Sequence, residues 1–246
     1  MQIYQANLAG RSIRYCFHYP NTARRFRSWL HPVEGDEYDV MVSDEDILRA
    51  YPDLLTGSYE DRAEYKSLIR PTSLFLLRTD CCIFHSVAFL WRDRAWLLTA
   101  PSGTGKSTQF LNWRNQFPSE IIMICGDMPI LERRENDSIW VHPTSWTGKE
   151  NIGSFTAAPL GGVVLLEQGK ENLISPMQPR EAIPPLFDQF CVYPETEAQI
   201  RSLCGILDLM LRNYPVWKFV NLGDAASTEL LRKTLMQKSG GEDGTI

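Results

Sequence analysis

The stretch that most limits what this chain can fold into is "WLLTAPSGTGKSTQF", residues 96–110. An apolar run feeds a glycine-rich turn, and the turn opens a run of helical character that ends before Pro118. A strand, loop and helix joined this tightly need a sheet with a helix packed over it, which places the chain among α/β folds. The loop matches G-x-x-x-x-G-K-S/T except that Ala100 stands at the first glycine. That position begins the turn, and alanine fits there wherever the backbone keeps a negative φ.

Such a loop holds phosphate because successive backbone N–H groups converge on one hollow, with a helix N-terminus behind it. Gly103 and Gly105 permit the close approach, while Ser102, Thr104 and Thr108 supply further amides. Lys106 is placed to reach the β- and γ-phosphates of ATP, and the Ser107 hydroxyl to ligate Mg²⁺. The competing reading is a chance glycine turn that caps a helix.

Phosphoryl transfer needs a metal and a base or water-orienting group besides the loop. Asp127, in "IMICGDMP", closes the apolar strand after the loop helix, where a carboxylate holds Mg²⁺ or takes a proton from an acceptor hydroxyl. A turn aspartate before Pro129 is the plainer alternative. The pattern puts His85 in the strand before the loop strand, so that a hairpin returns it beside the phosphates; a satisfied core histidine fits the residues equally well. In "HPTSWTGKEN", Lys149 sits on a small-residue turn suited to closing over phosphates, and equally suited to being a solvated surface lysine. Trp146 either stacks on a base or packs.

Composition narrows the partners. The net charge is -5 and the pI near 5.5, which argues against a nucleic-acid backbone, and the run Arg24, Arg25, Arg27 reads as a solvated face. No apolar stretch approaches the roughly 20 residues that span a bilayer, and the six cysteines lack metal or disulfide spacing, so a cytoplasmic chain with reduced thiols is expected. The expected organisation is a small α+β N-terminal segment (1–75), a main α/β domain (76–238) and a disordered tail (239–246). Ser43 with Asp46 marks a capping box, a second helix is expected to stop before Pro71, and hairpins are expected at 81–99, 129–143 and 161–176.

The arrangement "FHSVAFLWRDRAWLLTAPSGTGKST … IMICGDMP … VHPTSWTGKEN" resembles the HPr kinase-like proteins, which share a P-loop kinase fold with phosphoenolpyruvate carboxykinase. The resemblance spans about residues 80–235. It implies an α/β fold of mixed, largely antiparallel sheets with flanking helices. It also implies γ-phosphate transfer from ATP to a serine hydroxyl, with Asp127 as base, His85 as its partner, Lys106 on the phosphates and Ser107 on the metal. The family carries two adjacent acidic residues at the strand end; here Gly126 precedes Asp127 and Met128 follows. The expected function is therefore an ATP- and Mg²⁺-dependent kinase acting on a hydroxyl of a protein, peptide or small molecule, with a nucleotide-binding module lacking transfer, or a simple NTPase, as alternatives. A homo-oligomer is left open.

Overall fold

The computed structural model describes residues 2–51 and 59–239. Residues 240–246 of the expected tail, and Pro52, expected to limit the helix that Ser43 caps, lie outside them. Two short strands, β1 (Ile3–Leu8) and β2 (Arg11–Cys16), form a hairpin, and β3 (Leu30–Val33) adds to the other edge of β1, all antiparallel. The single turn α1 (Thr22–Arg25) lies between β2 and β3. α2 (Asp44–Ala50) starts at Ser43 with the capping box complete in both directions. The run before Ser43, whose residues 38–43 read as a strand, makes one bridge, Val40 to Tyr15.

α3 (Glu60–Ser67) and α4 (Ile69–Leu76) follow. The helical course continues past Pro71, contrary to expectation. Proline is the third residue of α4, where its missing N–H would have had no helical partner in any case.

Beyond residue 80 come β4 (Cys81–Ile83), β5 (Ser86–Trp91), β6 (Arg94–Thr99), α5 (Lys106–Gln116), β7 (Ile122–Cys125), β8 (Ile130–Arg133), β9 (Ile139–His142), β10 (Ala158–Gln168), β11 (Leu173–Pro176), α6 (Pro179–Phe187), α7 (Glu197–Asn213), β12 (Val216–Asn221) and α8 (Ala225–Ser239). Among the described residues these strands make one curled, mostly antiparallel sheet, in the order β4-β8-β9-β10-β6-β5-β7 with β12 on β10 and β11 on β12. β10 is the joint. Its first residues pair antiparallel with β9, the register shifts between Leu160 and Gly162, and the remainder runs parallel to β6 and β12.

Both faces of the β5–β6 hairpin are buried, which is why its sequence is an unbroken apolar run rather than an alternation. Ala88 and Leu97 point into a core closed by α6 and α7, through Leu186, Leu203 and Ile206. Val87, Phe89, Trp96 and Leu98 point the other way, against Phe110 and Trp113 of α5 and Leu231 and Leu235 of α8. The turn at Arg92 and Asp93 has positive φ at both residues, the twist a two-residue hairpin requires.

The hairpins at 81–99 and 129–143 form, the first as β5–β6 alone. The third does not: β12 lies between β10 and β11 and pairs with both. Local turn chemistry at 169–170 looks like a hairpin, but β12 arrives from some forty residues downstream and takes the central place. α6 also escaped the sequence reading, because Pro184 and Pro185 lie inside it.

The N-terminal sheet is keyed to the main sheet through Glu132 on β8. Its buried carboxylate accepts hydrogen bonds from Arg11, from Arg134 Nε at 2.9 Å and from His142 Nε2 at 2.8 Å. Burial alone would raise the Glu132 pKa, but these donors overcome it and hold the group at about 2. Burial pushes His142 below its ordinary value, so it donates as a neutral ring at pH 7 and the two arginines balance the charge. A depressed carboxylate stabilises the fold above its unfolded pKa, 4.5, and that stability drains away as pH falls toward 2. Glu132→Gln is therefore expected to lower the thermal midpoint at pH 7 by a stability loss on the order of 2 kcal/mol, and thermal unfolding should show the gap to the parent closing below pH 4.5.

Candidate functional site

The loop between β6 and α5 turns twice through left-handed glycine, Gly103 at φ 85° and Gly105 at φ 105°, and nothing lies within 4 Å of where a side chain on either would begin. Ala100 is absent from the positive-φ residues, and its methyl is fully buried in the core beneath α5. The departure from glycine at the loop's first position is thus a packing choice. Thr104 closes the turn by bonding Pro101 O through its hydroxyl at 2.9 Å.

Among the described residues, the backbone N–H groups of Gly103, Gly105, Lys106, Ser107 and Thr108 donate to no protein acceptor; the first helical bond of α5 is Gln109 N–H to Gly105 O. Five free donors at a helix N-terminus, interrupted by two left-handed glycines, are the arrangement that receives an anion. Lys106 is buried, and its Nζ donates to Ala100 O at 2.8 Å and Pro101 O at 3.3 Å. Burial lowers its pKa, and the charge of Asp127 works against that shift.

Asp127 follows β7, two strands away from β6 across the sheet. His85 is not inside a strand, as expected, but in the gap between β4 and β5, where the chain leaves one curl of the sheet for the next. Its neighbours bind the 127–129 backbone: Phe84 N–H to Pro129 O at 3.0 Å and Ser86 N–H to Asp127 O at 2.9 Å. That pairing sets His85 Nε2 3.4 Å from Asp127 Oδ1, while Nδ1 lies 3.2 Å from Gln189 Oε1. The Gln189 amide is oriented by its own Nε2, which donates to Pro185 O. Each ring nitrogen thus faces an oxygen, and the ring is held from both edges.

The segment 144–154 packs against this turn. Met128 N–H bonds Trp146 O, Ser154 N–H bonds Ile124 O, and Thr144 Oγ1 donates to Met128 O. At Gly126 a Cβ would stand 2.4 Å from Thr147 O and 3.0 Å from Ile152 O. A side chain at this position has no room. Trp146 packs rather than stacks on a base: it is buried against Phe26 and Tyr65, and its Nε1 donates to Tyr65 O at 2.9 Å.

One cleft of about 860 Å³ gathers these parts. Ser102, Gly103, Gly105, Lys106, Ser107, Thr108, His85, Asp127 and Lys149 all line it; Thr104 does not. The same cleft is lined by Arg24, Arg25, Arg62 and Lys66 from α1 and α3. Arg24 and Arg25, read from sequence as a solvated face, are therefore cleft residues. Nothing in the spacing of Arg62 or Lys66 could have found them, because an exposed helix cation looks the same wherever the helix is docked. Among the described residues no cluster of three or more His, Cys, Asp or Glu side chains forms a metal cage, and no helix is long and apolar enough to cross a membrane.

No family model matches the chain, and no curated protein does. Among solved structures it is similar to the HPr(Ser) kinase/phosphatase from Coxiella burnetii, at 11% identity and a TM-score of 0.39, over 64% of this chain and 99% of that one. The likeness is distant.

Gly126→Ala is expected to lower stability by about 1–3 kcal/mol through overpacking. The same variant should show increased proteolytic cleavage within 147–152. Unchanged thermal unfolding and cleavage would mean that the two backbones are not locked together.

Proposed function

We propose that this chain is an ATP- and Mg²⁺-dependent phosphotransferase that delivers the γ-phosphate to a hydroxyl. What carries the reading is the set of five unpartnered amides around Gly103 and Gly105 in the same cleft as Lys106 and Asp127. The hollow they line is open, as a polyphosphate requires. Ser107 and Asp127 are the residues that would hold Mg²⁺, a protein share of one hydroxyl and one carboxylate that leaves the remaining positions to phosphate and water. The metal, when bound, neutralises charge on the transferred group.

In this reading the acceptor oxygen forms a bond to the γ-phosphorus, the bond from that phosphorus to the β-phosphate oxygen breaks, and ADP leaves. Asp127 takes the hydroxyl proton. His85, braced by Gln189, holds the carboxylate at the cleft and keeps it from rotating. Lys106 exchanges its two carbonyl partners for phosphate oxygens. Its ammonium is desolvated already, so the charge acts with little water to screen it. The alternative, a nucleotide-binding module without transfer, draws on the single carboxylate at the end of β7.

Lys106→Ala is expected to weaken binding of a fluorescent ATP derivative by about a hundredfold or more. Asp127→Asn should leave that affinity within a few-fold and lower transfer from γ-labelled ATP by roughly 10²–10⁴-fold. Full transfer by Asp127→Asn removes Asp127 as the base; tight binding by the parent with no label passed to any acceptor or to water favours the module.

A further inference from the structure

The lining of the cleft inverts the charge of the chain that builds it. The protein carries a net -5, yet the cleft is lined by Arg24, Arg25, Arg62, Lys66, Lys106 and Lys149 against the carboxylates of Asp127 and Glu150. Lys106 belongs to the loop. The other five lie beyond it, four of them on the N-terminal segment.

Asp127 stands between the two groups. Its charge acts on Lys106 on the loop side and on Lys66 of α3 on the other, and Lys66 is also within electrostatic reach of Arg62 and Lys149. Burial, then the crowding of these like charges, lowers the Lys66 pKa, with Asp127 opposing. Arg25 is committed to Asp61, at 2.6 Å. Among the described residues Arg24, Arg62, Lys66 and Lys149 make no ion pair. Like cations held together without counter-ions repel, and the arrangement persists only because the surrounding fold fixes it.

The fold does fix it. The Glu64 carboxylate, fully buried on α3, accepts from His18 N–H at 2.7 Å, Tyr19 N–H at 3.1 Å and the Thr22 hydroxyl, binding the entry to α1 against α3. Tyr65 joins α3 to the 145–147 segment twice, donating through its hydroxyl to Ser145 O and accepting from Trp146 Nε1 at its carbonyl. The cations of α1 and α3 are thereby mounted on the same frame as Asp127.

We infer that the N-terminal segment forms the acceptor wall of this cleft, and that the acceptor is a hydroxyl compound bearing carboxylate groups close to the hydroxyl. The inference rests on the phosphotransferase reading for the identity of the hydroxyl, since Asp127 is the group that faces it. Lys66 and Lys149 meet the acceptor's negative groups; Arg62 and Arg24 extend the field outward. The carboxylates come either from an acidic peptide or from a small hydroxy acid.

The test uses the full chain and two pairs of probes: a fluorescent peptide with serine flanked by aspartates against its asparagine counterpart, and malate against glycerol as competitors of the bound peptide. The aspartate peptide is expected to bind about tenfold tighter or more, with the preference fading as salt rises. Malate displacing it at lower concentration than the unlabelled peptide points to a small acid, and the reverse order to a peptide; glycerol should displace nothing. The preference should fall to about threefold or less in Arg62→Gln/Lys66→Gln and also in Lys149→Gln, an exposed position whose change spares the fold. Equal binding of all probes, or a preference that survives these variants, overturns the inference. So does a variant that weakens a fluorescent ATP derivative while leaving the peptide preference intact, because the cations then serve the nucleotide. Failure of the parent chain to bind that derivative defeats the nucleotide reading separately, and the anion preference is read independently of it.

Discussion

Everything in the cleft hangs from one close approach of two backbones. Residues 124–128 and 144–154 run so near each other that the Thr147 carbonyl fills the space a side chain at 126 would need. The contact is tied on both sides, by Met128 N–H to Trp146 O and Ser154 N–H to Ile124 O. Because these are main-chain bonds in a buried setting, shifting one segment strands polar groups of the other, at about 1–3 kcal/mol each. Asp127 is therefore positioned by the backbone before its side chain touches anything. Lys149, two residues beyond Thr147, comes with it.

The contact also decides what the N-terminal segment does. Trp146 is carried into the aromatic cluster of Phe26 and Tyr65, with centroid separations of 5.4 and 5.8 Å, and its indole N–H reaches the α3 backbone. A residue that in sequence looked able to stack on a base is instead the pin between the main sheet and helices α1 and α3. The N-terminal segment shares a continuous core with Ile83 and Ile130 of the main sheet.

What could be read from the residues was whatever a short window determines. The glycine loop, the helix after it, the capping box at Ser43 and the β5–β6 hairpin all follow from neighbours within about ten positions, where steric and hydrogen-bond rules act directly. What could not be read depends on a distant partner. β12 enters between β10 and β11; His85 leaves its strand because Phe84 bridges Phe190 and its own N–H bonds Gln189 O; Arg62 and Lys66 become cleft residues only once α3 is docked. Prolines misled in both directions. Pro71 has the sequence mark of a stop but stands where a helix tolerates it, and Pro184 and Pro185 lie inside α6.

The disposition of charge around α3 follows from the same frame. α3 carries acidic Asp61 and Glu64 among basic Arg62 and Lys66, but at separations of one, two and five residues, which set no opposite charges side by side on a helix. Instead Glu64 turns inward and is satisfied by two backbone N–H groups and a hydroxyl, and Asp61 is taken by Arg25 of α1. With Asp61 and Glu64 both holding α1 to α3, Arg62 and Lys66 make no ion pair on the cleft side among the described residues. The result is one positive wall in the cleft that holds Asp127, and its field favours negative charge on that side.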